Sequence, residues 1–338
     1  MNGENPRLPV VIAEAGVNHN GDVGCAVEMI AAAADAGADI VKFQAFTADS
    51  IVAANTVTAD YQRHNTGATD QQSLLRNLEF SRSDFAELAA CCRDHRIEFL
   101  CTAFDTDIVE SLVGLGMRRI KVASGELTNT PALQHVAGLR LPILLSTGMA
   151  TLDEVGQAVT ALRDGGADDI TLLQCTSIYP APMEKLNLRA MLTMRDHFRL
   201  PVGFSDHSTG DHAAVAAVAL GATVIEKHFT LDRSLPGPDQ AASMEPAQLA
   251  AMIKKLKETE VALGDGEKRP VPDELETAQL VRRSWHAARD LGAGQVLGEA
   301  DIVLKRPNSG LAPHVRLVGR KLTVARAADA PITRADVV

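Results

Sequence analysis

Short runs of β-branched and aliphatic residues recur along the chain, separated by Ala-rich stretches in which apolar residues return every three or four positions. The first pattern suits a strand buried on both faces and the second an amphipathic helix. Their alternation predicts repeated βα units rather than a sandwich or a helix bundle. Eight strands are expected, at Val10 to Ala13, Asp39 to Phe43, Glu98 to Cys101, Arg119 to Ala123, Ile143 to Leu145, Ile170 to Leu173, Val202 to Phe204 and Thr223 to Lys227. The helices between and after them include Val23 to Ala36, Arg82 to Asp94, Asp153 to Arg163, Asp211 to Leu220 and Pro246 to Leu263. Eight units over roughly 250 residues match a closed (β/α)8 barrel, whose active sites lie at the carboxyl ends of the strands. An open doubly wound sheet is the alternative, but the first strand is followed by EAGVNHNGD, with no GxGxxG loop for a nucleotide.

The pattern changes after Leu263. GDGEKRPVPDELET is rich in charge, Gly and Pro and reads as a linker, and beyond it SWHAARDLGAGQVL, DIVLKRPNSG and RKLTVARAADAPI alternate short strands with turn residues. The expected organisation is a barrel over 1–264, a linker over 265–282 and a small, mainly β domain over 283–338. So short a module has little core of its own, which suggests that it packs against a partner.

Composition narrows the class. The hydrophobic share of 46% is carried by aliphatic residues, with 4% aromatic. A formal charge of −10 with no basic stripe argues against a nucleic-acid partner. Five cysteines without a CxxC pair fit a reducing cytosol, and no segment runs 18 residues without charge, so a cytoplasmic protein with no membrane span is expected. The opening MNGENPRLPV shows no basic region followed by an apolar stretch.

Candidate chemistry collects where the strands should end. Those ends carry Glu14 with Asn18 and His19, Lys42 with Gln44, Thr102, Lys121 with Ser124 and Glu126, Ser146 with Thr147, Ser177 with Tyr179, Ser205 with Asp206 and His207, and Glu226 with Lys227 and His228. One such residue is readily a helix cap; eight ends in register point to a site. Lys42 and Lys121 sit in strand-like apolar runs, where a buried ammonium needs an anion. That anion is either Glu14 or Glu226 inside the barrel or, given the surrounding hydroxyls, a phosphate and a carboxylate of a substrate. His207 and His228 end adjacent strands and can converge on a divalent ion that keeps open positions for substrate and water. Glu126 suits a general acid or base, or a helix cap within GELTNTP.

These residues lie in longer blocks: IAEAGVNHNGD, ADIVKFQAF, ADYQRHNTG, IKVASGELTN, ILLSTGMA, LQCTSIYPAP, VGFSDHS and IEKHFTLDRSLPGPDQAASMEP. In this order, over nearly the whole chain, they resemble the sialic acid synthase family, and the C-terminal segment is similar to the antifreeze-like (SAF) domain which that family appends to its barrel. The resemblance implies condensation of phosphoenolpyruvate with an N-acylated mannose-type hexose and release of phosphate. It implies a divalent metal, Mn²⁺ first with Mg²⁺ or Co²⁺ as alternatives, on His207 and His228. It places phosphoenolpyruvate on Lys42, Thr102, Lys121, Ser124, Ser146 and Ser205, with Glu126 as the catalytic glutamate.

By the same resemblance Glu14, Gln44, Tyr179 and Asp239 lie near the sugar or metal, and Arg306 of the KRP block reaches the N-acyl group from a partner protomer in a domain-swapped homodimer. Ser177 in CTSIYPAP stands where some members have Asn, so the contact from that loop differs. The acceptor is expected to be N-acetylmannosamine, giving N-acetylneuraminate. The alternative is a diacetamido trideoxymannose leading to N,N'-diacetyllegionaminate, followed by a pseudaminate synthase or a metal-dependent aldolase. A non-catalytic sugar- or ice-binding protein, suggested by the tail alone, would leave the barrel-mouth residues without a purpose.

Overall fold

The computed structural model describes residues 8–54, 56–58 and 60–338. The start of the chain read above for a targeting signal, up to Arg7, and Ala59 at the head of the ADYQRHNTG block lie outside the described residues. The chain divides into two compact units, Met1–Gly264 and Asp265–Val338.

In the first unit eight parallel strands close into a barrel in sequence order. They are β1 (Val10–Gly16), β2 (Ile40–Ala45), β3 (Glu98–Ala103), β4 (Ile120–Val122), β5 (Ile143–Ser146), β6 (Ile170–Cys175), β7 (Val202–Asp206) and β8 (Val224–His228). Helix α1 (Val23–Asp35) follows β1; α2 (Ala48–Ile51), α3 (Asp60–Thr66), α4 (Gln71–Arg76) and α5 (Arg82–His95) follow β2. Then α6 (Thr106–Gly114), α7 (Thr130–Gly138), α8 (Leu152–Asp164), α9 (Ala190–Phe198), α10 (His212–Ala219) and α11 (Pro246–Leu263) each follow one strand. All eight expected strands are present. Most run further toward the mouth than expected, because a polar side chain interrupts the apolar pattern without interrupting the backbone ladder.

Local chemistry sets the helix starts. Ser81 and Asp84 form a reciprocal capping box on α5, and Thr151 and Glu154 do the same on α8. Each helix then lays one apolar face on the barrel, as Met29 and Ile30 of α1, Leu88 of α5, Leu162 of α8 and Leu249 and Leu256 of α11 do, all fully buried. Burying each such side chain stabilises the fold by about 1.5–3 kcal/mol. Gly203 on β7 marks how tightly the wall is built: a Cβ there would lie 2.6 Å from both Leu173 Cδ2 and the Val224 carbonyl.

The second unit opens with a helix, α12 (Pro272–Val281), inside the stretch expected to be a linker. Pro at its first position and Asp273 and Glu274 in its first turn favour helix initiation, which outweighs the linker-like composition. An antiparallel pair, β9 (Ser284–Ala287) with β10 (Ile302–Lys305), and several isolated bridges follow. Ala287, Leu291, Leu297, Leu317, Leu322, Ile332 and Val337 form its own small core.

Candidate active site at the barrel mouth

Strand register assembles the site. Glu14 lies beside Lys42 on one side and His228 on the other, Gln44 beside Thr102, Thr102 beside Lys121, and Ser205 beside Glu226. Successive strand residues alternate faces, so Glu226 and His228, two apart on β8, point the same way.

The result is a buried lysine–carboxylate network. Lys42 Nζ is 2.8 Å from Glu14 Oε2 and 3.7 Å from Glu226 Oε2, and donates to Thr102 Oγ1 at 2.8 Å. Lys121 Nζ donates to Ser146 Oγ at 2.7 Å and lies 3.7 Å from Glu226 Oε1, which also accepts from Ser205 Oγ at 2.8 Å. Gln44 Nε2 donates to Glu14 Oε1 at 3.1 Å. Both lysines and both glutamates are buried.

This environment drives the two carboxyls apart. Burial raises the pKa of Glu14 above its ordinary value, an effect Lys42 only partly offsets. Burial acts on Glu226 in the same sense, but Lys121, Lys42 and the Ser205 hydroxyl overcome it and hold Glu226 down at about 2. Burial lowers Lys121. On Lys42 burial pulls the same way, yet Glu14 and Glu226 more than compensate and its pKa is raised. Two carboxyls with opposed proton affinities in one site are the usual arrangement for proton transfer beside a fixed charge.

A second cluster stands next to it. The rings of His207 and His228 are 5.2 Å apart, and Tyr179 packs on His207 at 4.1 Å and edge-on to His228 at 5.7 Å. His207 Nδ1 lies 2.9 Å from the Thr176 carbonyl, which assigns the proton to Nδ1 and leaves the Nε2 lone pair free. His228 Nδ1 is buried without a hydrogen-bond partner, 4.0 Å from Asp239 Oδ2, and burial pushes His228 well below its ordinary pKa, with His207 adding to the effect. Burial likewise lifts the Asp239 carboxyl to about 6.

Burial works against the charged form of His207 too, but Cys175 and the Thr176 carbonyl outweigh it and raise its pKa. The neutral, unpartnered His228 and an orphaned carboxylate oxygen on Asp239 fit a divalent ion that would take its remaining ligands from His207, substrate and water. Among the described residues no group of three or more His, Cys, Asp or Glu is placed to hold a metal by itself.

The remaining expected residues are placed as follows. Ser124 Oγ accepts from the Gly148 amide at 2.9 Å. Ser177 Oγ lies over the same glycine, so that a Cβ at Gly148 would come within 2.3 Å of it and 2.8 Å of Ser124 Oγ. Glu126, half-buried, accepts from Asn129 Nδ2 at 2.7 Å, and Asn129 in turn caps α7. It shares a small cavity with Lys121 and Phe104 but makes no hydrogen bond to the lysine–carboxylate network among the described residues. Arg306 is exposed on the second unit.

The sequence pattern singled out neither Cys175 nor Gly148 as a site residue. Cys175 Sγ lies 3.8 Å from His207 Nδ1. Its place two residues before Ser177, at the end of β6, was the available signal. Glu226 was weighed only as a counter-ion, although its spacing from His228 already put it on the site face.

A closed parallel barrel with buried lysines, hydroxyls and paired imidazoles at its carboxyl mouth defines an enzyme that handles an anionic substrate. The NeuB family model matches residues 29–268 and the SAF domain model residues 282–338. The chain belongs to the NeuB family, the sialic acid synthases. It is 44% identical to N,N'-diacetyllegionaminic acid synthase of Legionella pneumophila, over 96% of this chain and 94% of that one. It is 33% identical to N-acetylneuraminate-9-phosphate synthase of Drosophila melanogaster, over 95% and 94%. The crystal structure of N-acetylneuraminic acid (sialic acid) synthetase from Leptospira borgpetersenii superposes with a TM-score of 0.72 at 32% identity, covering 82% of this chain and 94% of that one.

Proposed function

We propose that this enzyme condenses phosphoenolpyruvate with 2,4-diacetamido-2,4,6-trideoxymannose and water, giving N,N'-diacetyllegionaminate and phosphate. The observation that carries the reaction class is the pair of buried lysines within a ring of hydroxyls, beside two open imidazoles. The acceptor rests on the relatives: 44% identity to a legionaminic acid synthase against 33% to the neuraminate 9-phosphate enzyme. That evidence supports the alternative sugar over N-acetylmannosamine, the first expectation.

As it stands the network is self-neutralised, with two ammonium groups facing two carboxylates. Glu14, whose pKa burial raises, is the group that takes a proton when a phosphorylated carboxylate arrives. Lys42 and Lys121 then face the substrate with Glu226 as their fixed counter-charge, and Thr102, Ser124, Ser146 and Ser205 supply hydroxyl donors. C3 of the enol attacks the aldehyde carbon, water adds at C2, and the C–O bond to phosphate breaks. His207 and His228 would hold a divalent ion, Mn²⁺ first, whose chemistry when bound would be Lewis-acid polarisation of the acceptor's carbonyl.

With Glu14 already protonated by substrate binding, the proton of the attacking water falls to Glu126, which must release Asn129 to serve. Glu126→Gln should remove the limb of the pH–rate profile set by the general base, whereas Glu14→Gln, which fixes a neutral side chain beside Lys42, should keep it. Arg306 of a partner protomer, in a domain-swapped homodimer, is proposed to contact the N-acyl group, and a reducing cytoplasm suits the five free thiols. No helix among the described residues is long and apolar enough to cross a membrane.

The test is phosphate release from phosphoenolpyruvate with Mn²⁺ and a panel of N-acylated hexoses. Turnover with the diacetamido sugar, abolished by EDTA and by His207→Ala, supports the proposal. Turnover with N-acetylmannosamine alone restores the neuraminate reading, and no release with any acceptor sinks the synthase assignment.

A further inference from the structure

At the opposite end of the barrel, under the amino ends of β2, β3 and β4, lies a cavity of about 500 Å³ lined by Asp39, Arg93, Arg96, Glu98 and Arg118 with apolar walls that include Ile97 and Phe99. We propose that it is a second anion site, built for a small phosphorylated molecule and separate from the catalytic mouth.

In a chain of net charge −10, three guanidinium groups converge here from the end of α5, the residue after it and the segment leading into β4. None of Arg93, Arg96 and Arg118 is in an ion pair among the described residues. The two acids in the lining are committed elsewhere. Glu98 is held by Arg119 through two bonds of 2.6 and 2.9 Å, and Asp39 Oδ2 accepts the Val11 amide at 2.8 Å. Arg93, Arg96 and Arg118 against Asp39 leave the lining with a local excess of positive charge, held by exposed guanidinium groups that an anionic solute can reach.

The carbonyl end of α5 accounts for part of the attraction felt by Arg93 and Arg96. It does not account for Arg118, which comes from beyond α6. Planar guanidinium forks match phosphate oxygens in pairs, and a cavity of this volume is within the range of small-molecule sites. The apolar wall beside the arginines suits a ligand with a carbon skeleton attached to its phosphate, such as a sugar phosphate or a nucleotide. The floor of β3 and β4 is continuous with Thr102 and Lys121 at the mouth, so an occupant here touches the strands that position the substrate-facing groups.

Hydrogen exchange by mass spectrometry on the full chain tests this, with inorganic pyrophosphate, ribose 5-phosphate and adenosine monophosphate as separate probes. Protection of the segments 92–99 and 114–119 is expected, and it should be absent in the double variant Arg93→Gln/Arg118→Gln. Calorimetry should show binding of the protecting probe weakened by about tenfold or more in that variant. Stronger protection by one organic phosphate than by pyrophosphate identifies the skeleton that the apolar wall selects. Exchange unaltered in both segments with all three probes, or protection that persists in the double variant, overturns the proposal. Both arginines are exposed and far from the mouth, so the variant should fold and keep its basal turnover.

Discussion

Lys227 and Asp206 form a pair that is wholly shut off from solvent, with Nζ 2.8 Å from Oδ2. Each precedes one of the histidines of the site, and neighbouring strand residues face opposite ways, so the pair fastens β7 to β8 behind His207 and His228. Asp206 Oδ1 also accepts from the Ser208 amide and hydroxyl at 2.8 and 2.7 Å, and Lys227 donates to the Ser208 carbonyl. Lys227→Met removes the cation and leaves the carboxylate buried with two donors. Breaking a buried pair in this way costs about 3–5 kcal/mol, whereas replacing both partners by apolar residues is often close to neutral. The double variant Asp206→Leu/Lys227→Met should therefore recover most of what the single variant loses. Urea unfolding of the barrel followed by circular dichroism gives both free energies, and the cycle isolates the coupling. A loss below about 1 kcal/mol for Lys227→Met, the scale of an exposed pair, would refute the reasoning. So would a double variant as unstable as the single one.

Three other outcomes are expected. His19 is buried and stacked on Phe80 at 3.9 Å, with its pKa lowered from 6.5 to about 4 chiefly by burial. The unfolded chain binds the proton first, so stability should fall by about 3 kcal/mol as pH drops from 6.5 to 4. Denaturant midpoints against pH, flattened in that window by His19→Gln, check this. Gly148→Ala drives a methyl into Ser177 and Ser124 and should lower kcat/KM at least tenfold, by roughly 1.4 kcal/mol or more, with circular dichroism unchanged. Lys121→Met should raise the KM for phosphoenolpyruvate more than that for the sugar, and equal effects on both would remove the lysine from the phosphate site.

Alternating apolar and helical periods made the eight βα units legible, because barrel strands are buried on both faces and each crossover helix shows one apolar face. The lysines stood out for a related reason: a charge inside an apolar run is costly and demands a partner. What could not be read was which partner. Lys42 meets Glu14 through the register of β2 on β1, and barrel closure then sets β1 against β8, bringing His228 beside Glu14 and Glu226 within reach of Lys42 from the opposite end of the barrel sequence. The short helices α2, α3 and α4 were also hidden, being too brief for a period to register.

The sequence by itself determined the fold class, the carboxyl-end location of the site and most of the residue types in it, since these follow from local periodicity and from the cost of burying charge. Tertiary structure decided how the protons are distributed. Glu14 and Glu226 are the same side chain on equivalent strand ends, yet one is raised and the other held at about 2. The difference comes from distances to two lysines and a serine that only closure of the barrel brings within a few ångströms.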